Sequence, residues 1–174
     1  MTRDKLGDSY DIVKRFIRET LSSIAPLVAD PYFLEPSLSP RDYERATGIS
    51  LRTVSSPPRF GLLLDPHTGI HVAHQLRKGR HYATTQYIAA TLDDGCVAYC
   101  VVFDQSYTRN GVPRNDQLRP KLDEMARHCI ASFYYVSHAP FLFATRDATM
   151  ARRLRRAFRR SGLPDSKFFP HEVA

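Results

Sequence analysis

A chain of 174 residues, 43% hydrophobic and 25% charged, is long enough to bury a sizeable core and too apolar for a disordered polyelectrolyte. It has no apolar run near the ~20 residues that span a bilayer, and its first eight residues, MTRDKLGD, lack an apolar signal core, so a cytoplasmic protein with no membrane partner is predicted. Three cysteines, an odd number, argue against a disulfide framework and predict buried free thiols, and the net charge of +7 points to anionic partners.

That charge is unevenly placed. Residues 1–58 carry eight basic and eight acidic groups, whereas residues 146–174 carry eight basic against three acidic. The excess is a local patch. Arginines outnumber lysines by twenty to five, which base composition of a genome can explain, but composition does not explain clustering.

In chain order, Asp8 or Ser9 caps a helix running to about Ala25. Ile12, Phe16, Ile17, Leu21 and Ile24 share one side of it, and Lys14, Arg15 and Arg18 the other. Pro26 ends it. Residues 30–36 read as an ordered loop. Ser39, Pro40 and Asp42 open a short helix that Gly48 stops. The SSPP stretch at 55–58 marks the junction between a helical part and a sheet. Strands follow over 60–64 and 70–76 around a turn at 65–69. Asp94-Gly95 predicts a hairpin joining strands over 82–92 and 96–103. Both faces of that hairpin are apolar, which predicts central strands with helices on at least one side. Pro120 opens a helix to about Ser132, with Leu122, Met125, Ala126, Cys129 and Ile130 inward. Short strands over 133–136 and 141–144 precede the last helix, which Gly162 and Pro164 close.

The expected fold class is α+β, a largely antiparallel sheet with flanking helices. One domain is expected over 1–174: a helical N-terminal part over 1–54, a sheet region with one helix over 59–145 and an arginine-faced helix over 146–161.

That last helix carries the strongest functional signal. At about 100° per residue, with Met150 at zero, Leu154 falls near 40°, Phe158 near 80° and Ala157 near 340°. Arg155, Arg159, Arg152, Arg156, Arg160 and Arg153 then fall between about 140° and 300°, in one cationic arc containing no acid. Such an arc forks onto phosphate or carboxylate oxygens. It has no Asn or Gln to read base edges, so backbone contact is expected if the partner is nucleic acid, DNA or RNA. A basic loop at Arg77, Lys78 and Arg80, with Gly79 at its tip, is a second candidate anion site.

Other signals are weaker. His67, His71, His74 and His81 lie within fifteen residues. His71 and His74 point to opposite faces of a strand, so no metal is expected, and no cofactor motif is present. The loop over 104–115 leaves the end of a central strand and is rich in hydrogen-bonding groups, as functional loops are; Asp104 there is a candidate metal carboxylate without a recognisable partner. The favoured reading is a non-enzymatic regulatory protein contacting nucleic-acid backbone or a nucleoprotein. One alternative is a metal-independent nuclease or phosphodiesterase using His81, His138 or His71 with Arg80. Another is an adaptor or inhibitor docking on an acidic protein surface.

Overall fold

The computed structural model describes residues 6–72, 81–107, 111–138 and 140–170. The chain opens with α1 (Ser9–Leu21), whose Asp8 cap accepts from the backbone N–H groups of Tyr10 and Asp11. Strand β1 (Leu27–Ala29) follows, then α2 (Pro40–Thr47), which stops at the left-handed Gly48. Leu51 returns to bridge Ala29 in parallel. Strand β2 (Phe60–Leu64) lies on the other side of β1. Next come β3 (Gly69–His71) and β4 (Tyr82–Thr84), which pair with each other, and α3 (Thr85–Leu92). The second half is β5 (Val97–Phe103), α4 (Arg114–Arg127), β6 (Ala131–Tyr135), β7 (Phe141–Thr145), α5 (Ala148–Arg160) and β8 (Phe168–Phe169).

Six strands form one mixed sheet in the order β1-β2-β5-β7-β6-β8. The β1–β2 and β2–β5 pairings are parallel and the other three antiparallel, so the fold is α+β with flanking helices. Alternate residues of the strands feed two cores. Leu63, Val101, Phe133 and Phe143 pack with α1, α2 and α5 on one face. Leu62, Cys100, Tyr134 and Leu142 pack with α3 and α4 on the other.

The expected 82–103 hairpin is absent. Tyr82–Thr84 is a short strand and Thr85–Leu92 is helical, capped by the Thr84 hydroxyl accepting from the Tyr87 N–H. Its buried residues, Thr85, Ile88, Ala89 and Leu92, recur at i, i+3, i+4 and i+7, a helical period hidden by the apolar character of both faces. Asp94 makes a helix-to-strand turn, accepting from the Cys96 N–H at 3.0 Å. Strand β5 therefore pairs in parallel with β2. Likewise α4 begins after Pro113 and contains Pro120. Pro120 faces solvent, where the Asp116 carbonyl that loses its donor can bond water. The strand expected over 70–76 is seen as Gly69–His71, and residues 73–80 lie outside the described residues. Of the cysteines, Cys100 is buried, whereas Cys96 and Cys129 are exposed, contrary to the expectation of buried thiols.

Helix α1 is rotated relative to its expected stripe. Ile12 is 66% exposed, while Lys14 points inward with Ile17 and Leu21. The cause is a carboxylate from elsewhere. The Lys14 ammonium donates to Asp65 at 2.7 Å, just past β2, and to Asp11 at 3.1 Å. Tyr43 of α2 also donates to Asp65, at 3.3 Å, and the Gly7 N–H donates to Asp11. A matching cluster holds α4. Lys121 donates to Asp104, just past β5, at 2.6 Å and to the Ser106 hydroxyl at 2.8 Å. Asp104 also accepts from the Tyr134 hydroxyl at 2.8 Å and the Ile70 N–H at 3.0 Å. Gly69 is required beside it: its φ is +138°, and a β-carbon there would strike the Asp104 carboxylate.

Burial alone disfavours the Lys14 ammonium, but the Asp65 and Asp11 charges outweigh it and raise the pKa above the ordinary lysine value. The pair's contribution to stability is thus fully present below the ordinary lysine range and is lost only as pH rises through the raised value. Replacing Lys14 with Met leaves two buried carboxylates without their cation. We expect a loss of about 3–5 kcal/mol in urea unfolding at neutral pH. Ile12→Ser, on the exposed side of the same helix, should change stability by under about 0.5 kcal/mol.

Candidate functional site

Helix α5 presents the arginine arc. Asp147 caps it, accepting from the Thr149 N–H at 2.7 Å, and Met150, Leu154 and Phe158 are buried against β7 and α1. Arg152, Arg153, Arg156, Arg159 and Arg160 are exposed. Arg155 is not: it is 5% exposed, a correction to the expected six-membered face. It sits at the edge of the arc nearest Phe158, where the returning C-terminal segment covers it. Its guanidinium lies 5.3 Å from the Phe168 ring centroid and donates to the Pro170 carbonyl at 3.0 Å. Arg159 pairs with Asp165 of the 3-10 turn Asp165–Lys167, so one arginine of the outer face is neutralised by an acid that follows the helix. Arg152 donates to the Thr149 hydroxyl. Among the described residues, Arg153, Arg156 and Arg160 have no acidic partner.

Arg77, Lys78, Arg80 and His74 lie outside the described residues. His71 is half-buried, its Nδ1–H donating to the Val72 carbonyl at 2.9 Å and its ring edge-on to Tyr82. His81 is exposed, 5.5 Å from the His67 ring. His138 is exposed, stacked on Tyr10 at 5.5 Å and 22°, with Nε2 3.4 Å from the Ser9 hydroxyl. His81 is not among the described lining residues of either of the two neighbouring clefts. His138 borders a large cleft, while His67, the neighbour of His81, borders a smaller one that shares Tyr10 and Gln105 with it. Asp104, the candidate metal carboxylate, is engaged by Lys121 instead. Among the described residues no three His, Cys, Asp or Glu side chains gather as a metal site, and no described helix is long and apolar enough to cross a membrane.

The large cleft has a volume of about 640 Å³, within the roughly 300–1,000 Å³ of small-molecule sites. It opens beyond the carboxyl end of β5. The two buried lysines set its walls. Tyr10 lies four residues before Lys14, and Gln117 and Arg114 lie four and seven before Lys121, so each anchored helix turns one face of its first turns toward the opening. The Arg114 guanidinium stacks 4.5 Å from the Tyr107 ring centroid and donates to the Ser137 carbonyl. The loop over 104–115 singled out from sequence supplies Gln105, Tyr107, Val112 and Arg114 to this lining. Sequence reasoning missed Tyr10, Gln117 and both lysine anchors. The signal within reach was an aspartate directly after each apolar strand, at Leu64-Asp65 and Phe103-Asp104.

No protein-family model matches the chain, and neither the curated proteins nor the solved structures give a match.

Arg155 and Arg156 are adjacent in sequence but opposite in environment, which separates structural from surface arginines. Arg155→Ala strips a buried hydrogen bond and a ring contact and should cost about 1–3 kcal/mol. Arg156→Ala should stay within about 0.5 kcal/mol. Paired thermal melts of the two variants check this, and equal losses would contradict the assigned burial.

Proposed function

We propose that this protein is a non-enzymatic binder of nucleic-acid backbone, and that the outer face of α5 is the contact surface. One observation carries the reading. Arg152, Arg153, Arg156 and Arg160 stand exposed along one helix face with no acidic partner among the described residues. From Arg152 to Arg160 the face runs about 12 Å along the axis, long enough to meet several phosphates of one strand. Each guanidinium can fork onto phosphate oxygens.

The composition of the face favours nucleic acid over an acidic protein. Protein interfaces draw their affinity from buried aromatic and apolar anchors. The exposed residues of α5 are arginines and Thr149, and none of the large exposed hydrophobic side chains, Ile12, Tyr32, Val54 and Val112, lies on it. Absence of Asn and Gln from the face supports sequence-independent contact. The nuclease reading has less support, because His138 stacks on Tyr10 at the large cleft whereas His81 lies against His67 and is not among the described lining residues of that cleft.

The test is fluorescence anisotropy with labelled single-stranded and duplex oligonucleotides across a salt series. Affinity should fall steeply with salt, at a log–log slope of roughly −0.7 to −0.9 per phosphate neutralised. The Arg153→Glu/Arg156→Glu/Arg160→Glu variant should keep the wild-type circular dichroism spectrum, and its slope should be shallower by about two to three. Absence of wild-type binding to either polymer at low salt, or binding indifferent to salt, overturns the proposal.

A further inference from the structure

We infer that the cleft beyond the carboxyl end of β5 binds a nucleotide unit, an aromatic base carrying a phosphate. This deepens the α5 reading if the nucleotide belongs to a strand, but its own evidence is independent of α5.

The chemistry of the cleft selects the ligand class. The Tyr10–His138 stack presents one set of aromatic rings, and the Tyr107 ring with the Arg114 guanidinium presents another planar surface. Flat aromatic and guanidinium surfaces favour a base, because every base has a π-face. The half-buried Gln105 carboxamide also lines the cleft, and its side chain has no partner among the described residues. A carboxamide offers both donors and an acceptor, as base edges require.

The charge of the cleft is one-sided. Arg114 and His138 border it, and no carboxylate is among its described lining residues. Arg114 is held by the Ser137 carbonyl and, at 3.5 Å, by the Tyr107 hydroxyl. These contacts engage two of its five N–H donors and leave others for a phosphate. The first turn of α4 opens on the same cleft, so its dipole adds to the attraction for an anion already set by Arg114.

The 3-10 turn after α5 is tied to the sheet by the Val136 N–H donating to the Lys167 carbonyl at 2.7 Å, and Val136 is two residues from His138. The shared chemistry is the nucleotide. A free mononucleotide and a residue of a single strand are its two sources.

The experiment titrates the full chain with AMP, UMP, inorganic phosphate, and single-stranded and duplex oligonucleotides. Binding is followed by calorimetry and by saturation-transfer NMR at the base protons. Tyr107→Ala and Arg114→Gln test the cleft, Tyr107→Phe is the conservative control that keeps the ring, and the α5 triple reversal tests the helix. Mononucleotide binding weakened about ten-fold or more by Tyr107→Ala, preserved by Tyr107→Phe and untouched by the α5 reversal supports the inference with a free nucleotide as source. Single-strand binding in preference to duplex, with the same response to the cleft variants and little affinity for AMP or UMP, supports it with a strand as source. If a cleft variant fails to fold, saturation transfer from the protein to the base protons, compared between wild type and the α5 triple reversal, still decides. No transfer to any nucleotide overturns the inference. Binding of inorganic phosphate equal to that of AMP, unchanged in Tyr107→Ala, overturns it as well. Strand binding lost in the α5 reversal but unchanged in every cleft variant overturns it while leaving the α5 reading standing. The reverse pattern removes the α5 reading and keeps the cleft.

Discussion

Two buried lysines hold this architecture in register. Lys14 and Lys121 reach in from helices on opposite faces of the sheet and end on aspartates that directly follow the neighbouring parallel strands β2 and β5. Neither charge is tolerable alone at these depths, since desolvation of an unpaired ion costs several kcal/mol. Each lysine is therefore restricted to positions where its aspartate can meet it. That constraint sets the rotation of α1, to the point of turning Ile12 outward, and seats α4 with Pro120 in its solvent-facing side. Tyr43, Tyr134, Ser106 and the Ile70 N–H complete the hydrogen bonding of the two aspartates, so α2, β6 and β3 are drawn into the same end of the sheet.

The cleft is a consequence of those anchors. With α1 and α4 fixed within about two turns of their N-terminal ends, Tyr10, Arg114 and Gln117 face a common space beyond β5. The packed core thus ends in buried ion pairs, and the chemically varied lining of the cleft begins just above them. The opposite arrangement rules α5, where the charges face outward and the anchoring is apolar, through Met150, Leu154 and Phe158. Arg155 is the exception that joins the two designs: it keeps its charge but rests on Phe168 beneath the C-terminal segment.

Several elements were legible because their determinants are local. The Asp8 cap, the Ser39-Pro40 start, the Gly48 stop and the apolar runs at 60–64, 133–136 and 141–144 each depend on neighbours within a few residues. The hairpin expected at 82–103 failed for a local reason too. Residues 85–92 are apolar at both a strand and a helical period, and the Asp-Gly turn signal does not distinguish a strand from a helix before it. Asp104 was legible as unusual, and its loop as a candidate functional segment. Its role was not, because the partner that neutralises it lies 17 residues away on α4.

What the sequence by itself determined is angular and chemical. The helical period places Met150, Leu154 and Phe158 on one side of α5 and the arginines on the other, and the lack of Asn or Gln in that arc follows from composition alone. Which polar groups are buried was decided by the tertiary structure. Lys14 reads as a solvent residue until Asp65, 51 residues on, arrives beside it. Arg155 reads as equivalent to Arg156 until the chain returns through Phe168 and Pro170 to cover it. Burial of a charge depends on a partner and a cover that come from distant segments, and no local periodicity encodes where a distant segment will pack.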